Sequence, residues 1–255
     1  MKASLLTAMA IDDALAEVHG MLANVHFVHD WDWASAEKEF QRAIQLNQNY
    51  ADGHFFYSDF LISMNRPSEA MAELERALEL DPFNAFYQCF RGWYLLYLGR
   101  DDDALVELRR VLRTEPNFPA ARQGLWGALY RKDVSDEALK AAKEFFSVLG
   151  RTEVTEALTH GATESDYRKA MGVAAERLAA RAKKTYVGAV RVARLYAHAG
   201  KKAQALEWLE RAFDEREPAL VHLAVAWDWH TLRAEPRFQD LLRKLNLVAD
   251  RPPSS

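Results

Sequence analysis

Residues 51–84 read ADGHFFYSDFLISMNRPSEAMAELERALELDPFN, and residues 85–118 read AFYQCFRGWYLLYLGRDDDALVELRRVLRTEPNF. Laid over one another, the two stretches pair Ala51 with Ala85, Ser58 with Gly92, Leu61 with Leu95, Ala70 with Ala104, Leu74 with Leu108 and Pro82 with Pro116. A chain that repeats itself at a fixed period of this length is built from one supersecondary unit used several times. Each copy divides into two helical segments about a turn, Asn65-Arg66-Pro67 in the first and Gly99-Arg100-Asp101 in the second. Gly99 suits a helix C-terminus, and Pro67 suits the first turn of the helix that follows. Ser58 or Gly92 lets the first helix of a unit approach its second closely, and Ala70 or Ala104 answers from the second helix. Pro82 and Pro116 cannot continue a helix interior, so each closes a unit.

In period and in these residue types the two copies resemble the tetratricopeptide repeat, a helix-turn-helix unit. The resemblance implies an all-α fold, a right-handed solenoid of stacked antiparallel helix pairs. One pair cannot bury its apolar faces alone, so the units must stack. It also implies a protein whose working part is a surface.

Extending the register outward gives one solenoid over residues 1–255. Residues 1–13 are a half repeat, in which Lys2–Ile11 matches a second helix and Leu5, Ala8 and Ile11 correspond to Leu74, Ala77 and Leu80. A chain that starts in mid-unit is expected either to be part of something longer or to have its first helix covered by a partner, and a homodimer through this half repeat meets the second condition. Four units fill 14–150. The column Ala8, Ala43, Ala77, Val111, Phe145 advances by 35 and then by 34, which places one surplus residue in or near the aromatic turn His29-Asp30-Trp31-Asp32-Trp33. There Asp32 is expected to cap the second helix and Trp33 to pack inward. The fourth unit sets Trp126 where a small residue is expected, and Gly124 and Gly127 are read as letting the backbone shift around it. A degenerate unit covers 151–185, with a short helix over Glu153 to His160 and a long one over Asp166 to Ala182. A further unit fills 186–217, capping segments fill 218–246, and 247–255 is a tail.

Composition agrees with a folded protein: 49% hydrophobic and 27% charged residues, with a net charge of -4. No apolar run nears the roughly 20 residues that cross a bilayer, and no secretory leader is written at the start. The expected compartment is the cytoplasm. The single cysteine, Cys89, excludes an internal disulfide. The halves differ in charge: residues 1–150 carry 15 Lys and Arg against 23 Asp and Glu, and residues 151–255 carry 18 against 14.

Phosphate loops, nucleophile elbows and zinc spacings are not written in the chain. The expectation is no catalysis, no cofactor and no metal. A competing reading, a metal-binding enzyme or sensor, centres on His26, His29 and Asp30, with Asp32, His19 and His54 nearby, because histidines three apart share a helical face. A third reading is a structural oligomerisation module. The basic set Arg168, Lys169, Arg177, Arg181, Lys183, Lys184, Arg191 and Arg194 invites an acidic partner, but it lacks the interleaved aromatics of a single-strand nucleic-acid binder.

In helix-pair solenoids of the resembled family the first helix of each unit lines the concave face. The positions so implied are Asn24, Phe27, Phe55, Asp59, Phe86, Cys89, Trp93, Tyr97, Gln123 and Arg194. Gly20, Phe55 and Cys89 stand where family members that grip a terminal carboxylate carry polar or basic residues, so that activity is not carried over. The runs Tyr167-Arg168-Lys169-Ala170, Leu206-Glu207-Trp208-Leu209-Glu210 and Glu235-Pro236-Arg237-Phe238 with Leu241-Leu242 resemble the C-terminal repeat regions of bacterial signalling and regulatory proteins. In those, the array follows a DNA-binding, cyclase or kinase output domain. The expected function is a non-catalytic scaffold that holds a protein or peptide segment in its groove.

Overall fold

Each written repeat forms a helix-turn-helix pair. The computed structural model describes residues 2–158 and 163–247. Its elements are α1 (Lys2–Ile11), α2 (Ala16–Val25), α3 (Trp33–Leu46), α4 (Ala51–Ser63), α5 (Pro67–Leu80), α6 (Ala85–Tyr97), α7 (Asp101–Thr114), α8 (Pro119–Arg131), α9 (Ser135–Val148), α10 (Thr152–Thr155), α11 (Glu164–Ala182), α12 (Ala189–His198), α13 (Lys202–Asp214) and α14 (Pro236–Lys244). Short 3-10 turns cover Pro218–His222 and Trp227–Trp229. The fold is all-α, with no strand among the described residues, and none of their helices is long and apolar enough to cross a membrane.

The turns inside the pairs share one conformation. Trp31, Asn65, Gly99 and Asp133, each 34 residues after the last, have φ values of 56°, 56°, 75° and 56°. In this left-handed position the following amide reaches back to close the helix, as Arg66 N does to Leu61 O at 2.9 Å and Arg100 N to Leu95 O at 2.8 Å. The surplus residue of the first unit lies just before this turn. It is absorbed as a single π-helical turn, His26–Asp30, which returns Trp31 to register. Asp32 caps α3 by accepting from Ser35 N at 3.1 Å.

The chain divides into two compact units. Among the described residues, unit 1 holds those up to Tyr87, with Val221–Val225 and residues 245–247. In it α2 packs on α3, α4 on α5 and α1 on α2. Leu5 joins Leu22 and Val25 in a core cluster with Met9 and Val18, while Leu6 and Ile11 stay exposed. Trp33 sits edge-on to Phe27, and its indole N–H donates to the carbonyl of Leu245 at 2.9 Å.

Unit 2 holds Gln88–Leu220 and Ala226–Lys244. The role expected of Trp126's neighbours is corrected here. A Cβ on Gly124 would lie 2.9 Å from Leu108, and one on Gly92 would lie 2.8 Å from the same side chain. A Cβ on Gly127 would lie 2.6 Å from the Trp227 ring. The glycines admit Leu108 and Trp227, and Trp126 turns away into a buried site against Phe145, Phe146 and His198. The short helix expected over Glu153 to His160 is only α10, with His160 outside the described residues. The long one begins at Glu164 rather than Asp166. On the capping segment Phe238, Leu241, Leu242 and Leu245 are all buried, as a stripe at helical spacing requires. Of the tail, only Leu247 lies within the described residues.

Candidate interaction surface on the inner helices

In unit 1 the first helices of the pairs are α2 and α4, followed by the first residues of α6. Phe86 stands on this face, 42% exposed, its ring edge-on to Phe55 with centroids 5.0 Å apart. Phe55 is itself buried and stacks on Tyr87 at 5.1 Å. The Tyr87 hydroxyl donates to Asp52 on α4. Burial first, then Asp52 and Glu17, push the Tyr50 phenol up to about 12. Asn24 and Asp59 are half-buried. Asp59 is met by the chain itself: His222 Nε2 lies 2.9 Å from Asp59 Oδ1, on a segment whose Val221 and Leu223 are buried.

Three residues expected to face outward do not. Phe27 is buried against Trp33 and Phe60, Phe55 is the floor beneath Phe86, and Cys89 has no exposed surface. The reason is packing: large apolar side chains on the inner row fill the gap between successive pairs before they meet solvent. Burial pushes the Cys89 thiol up to about 12, which makes it a small core residue rather than a reactive group.

Unit 2 holds the remaining residues expected to line a groove. Trp93 is half-buried and donates to the carbonyl of Ala120 at 3.1 Å, and Tyr97 and Gln123 are also half-buried. Arg194 Nε donates to Asp228 Oδ1 at 2.8 Å and its guanidinium lies over Trp229. That pair belongs to a buried relay. Trp126 Nε1 donates to Tyr167 Oη at 2.8 Å, Tyr167 Oη donates to His198 Nδ1 at 2.5 Å, and His198 Nε2 donates to Asp228 Oδ1 at 3.2 Å. Every donor in it has one acceptor, which fixes the imidazole as the Nε2–H tautomer. An Asp-His-Tyr alignment suggests proton chemistry, but its members are almost wholly shielded from solvent and substrate. The relay holds the Trp227–Trp229 turn onto α11 and α12. The sequence did not reveal it, because its partners lie about 30 to 40 residues apart with no repeating pattern.

Half of the basic set is paired with carboxylates within unit 2, Arg194 with Asp228 among them. Arg168 pairs with Glu164, Arg177 with Glu156 at 3.5 Å and Arg181 with Glu153 at 3.5 Å. Lys169, Lys183 and Lys184 are exposed and Arg191 is half-buried, its guanidinium lowered by burial and then by Arg194 and Arg151.

The histidines proposed as ligands are dispersed into other work. His26 Nδ1 lies 3.1 Å from Asp30 on the π turn, and His29 is exposed. His19 and His54 hold the same place in successive units. His19 spans Glu39 at 2.5 Å and the Asp13 carbonyl at 2.9 Å; His54 spans Glu73 at 2.6 Å and the Gln48 carbonyl at 3.1 Å. Arg122 repeats the device between Glu144 at 2.5 Å and the Pro116 carbonyl at 2.7 Å. In each case the carbonyl lies six residues before the side chain, so the device ties a unit's entry to its own second helix. Among the described residues no three His, Cys, Asp or Glu side chains group as metal ligands. Replacing His54 by alanine should cost about 1–2 kcal/mol, since it removes two part-buried hydrogen bonds, one of them to a carboxylate. Urea unfolding measures it, and a loss within error would show that the fastener is idle.

Residues 31–88 match the family model described as tetratricopeptide repeat. These are tetratricopeptide repeats. Among solved structures, a chain of the APC/C hetero-tetramer Cut9-Hcn1 is 12% identical and aligns with 96% of this chain at a TM-score of 0.59. The alignment covers 46% of that chain, so this protein spans less than half of its length. PilF of Pseudomonas aeruginosa is 15% identical, with 91% of this chain and 98% of its own covered and a TM-score of 0.51. At these identities the likeness shows the tetratricopeptide fold alone. No curated protein matches the chain. The fold is one that supports a protein-interaction scaffold.

Proposed function

We propose that the chain is a non-catalytic scaffold that binds an extended protein or peptide segment along α2, α4 and the start of α6. One observation carries this reading: the chain's own residues Val221–Val225 lie against this face in unit 1, with His222 on Asp59. A face that holds a short 3-10 turn of its own chain has the shape and hydrogen-bonding groups to hold another segment alongside it. Phe86, half-exposed on a buried aromatic floor, is the anchor such a segment would cover. The resemblance of the C-terminal runs to bacterial regulatory proteins supports a setting in cytoplasmic signalling.

The test is selection of a random phage-displayed heptapeptide library on the immobilised full chain. Peptides so obtained should bind Phe86→Ala at least about tenfold more weakly, as expected of an interface anchor, while its melting temperature holds. If the peptides bind this variant unchanged, or if the variant melts several degrees early, the face is not the binding surface.

A second copy of the chain is the occupant we assign to the first helix, where Leu6 and Ile11 are 49% and 82% exposed. Light scattering should give a dimer that Leu6→Glu with Ile11→Glu returns to a monomer. A monomeric wild type removes this assignment.

A further inference from the structure

We propose that the segment bound on the inner face of unit 1 is cationic, presenting a lysine or arginine beside an apolar residue over Glu17, Asp52 and Phe86. The proposal rests on the scaffold reading above and specifies its partner.

The charge of this region is lopsided. Residues 1–87 contain 5 Lys and Arg against 14 Asp and Glu, a net of -9. The inner helices α2 and α4 carry Glu17, Asp52 and Asp59 and not one Lys or Arg. The cations of this region sit on α1, α3, α5 and the turn before α5, where Lys2 is held by Asp30, Arg66 by Glu37 and Glu69, and Arg76 by Glu79. Glu17 and Asp52 are exposed. What Asp52 receives from Tyr87 is a neutral hydroxyl donor, which orients the carboxylate without cancelling its charge. Both phenols register the resulting negative field. That of Tyr87, like that of Tyr50, is raised by burial and then by Asp52.

Carboxylates alone would attract any cation. The aromatic shelf makes this surface selective for a side chain with an apolar stem. Phe86 offers a half-exposed ring, and Lys and Arg lay their methylene stems along such a ring while the head reaches the carboxylates. The one occupant already present obeys the same chemistry, since His222 brings an imidazole to Asp59 between two buried aliphatic neighbours. Like charge excludes an acidic segment.

The heptapeptide selection decides the matter when it is read for composition. Peptides selected on the full chain should be enriched in Lys or Arg next to Leu, Met or Phe. A fluorescein-labelled consensus peptide should bind about tenfold more weakly to the Glu17→Gln, Asp52→Asn double variant, with a smaller salt dependence. Asp52→Asn keeps an acceptor for Tyr87, and circular dichroism checks that the fold holds. Equal binding to the double variant, with loss only in Phe86→Ala, overturns the cationic partner and leaves the scaffold reading standing. Enrichment in Asp or Glu does the same. Selection that yields no peptide, or peptides indifferent to Phe86→Ala, overturns both.

Discussion

Replacing Asp228 by alanine is expected to lower the free energy of unfolding by about 3–5 kcal/mol. Asp228 is buried, and both Arg194 and His198 direct their donors at its Oδ1. Burial pushes its carboxyl up, but Arg194 and His198 outweigh this and hold it below the ordinary 3.8. Without it the Arg194 guanidinium is left in a poorly hydrated place with no counter-charge, and that isolated charge is the main cost. A compensated variant, Asp228→Leu with Arg194→Met, should recover much of the loss. If Asp228→Ala alone costs under 1 kcal/mol, the relay does not latch the Trp227–Trp229 turn.

The same relay sets an acid limit. Burial lowers His198 below its ordinary 6.5, against the opposing pull of Asp228. The unfolded chain therefore takes up this proton near pH 6.5, while the folded chain resists until lower pH. Its contribution is complete above 6.5 and is lost as the pH falls through the lower folded value. That of Asp228 persists to lower pH and is lost below about 3.8. Melting temperatures should thus fall on mild acidification. His198→Gln, which keeps one donor and one acceptor but cannot titrate, should flatten the upper part of that decline.

Replacing Trp126 by alanine is expected to cost about 3–5 kcal/mol, because it opens a large cavity in packed surroundings. At about 2–4 °C per kcal/mol for a chain of this size, the melting temperature should drop by roughly 10 °C. Trp126 is 1% exposed, packed on Phe145, Phe146 and His198, and its indole N–H supplies the Tyr167 hydroxyl. Trp126→Phe should cost less, isolating the hydrogen bond from the ring. Since Trp126 and Asp228 end one relay, their losses should fall short of additive, and strictly additive losses would show two independent sites.

Local chemistry determined the repeat. Proline, glycine and alanine at a spacing of 34 dictated where helices begin, end and touch, because those residues act through their own backbones and sizes, and these are visible in one dimension. The same reading placed the turns between α4 and α5 and between α6 and α7, and located the surplus residue close to where a π turn absorbs it. The sequence also contained the acidity of the inner helices, as a count.

Only the tertiary structure decided which inner residues are surface. Phe55 and Phe86 are alike as letters, yet one is floor and the other shelf, since exposure depends on what the neighbouring pair supplies. It also decided the fate of His19 and His54, each held by a glutamate on the partner helix and a carbonyl of the preceding turn. Trp33 bonded to Leu245, His222 on Asp59 and the relay ending at Asp228 join residues with no shared period. Such contacts follow from where the folded chain returns, and a periodic pattern carries no information about that.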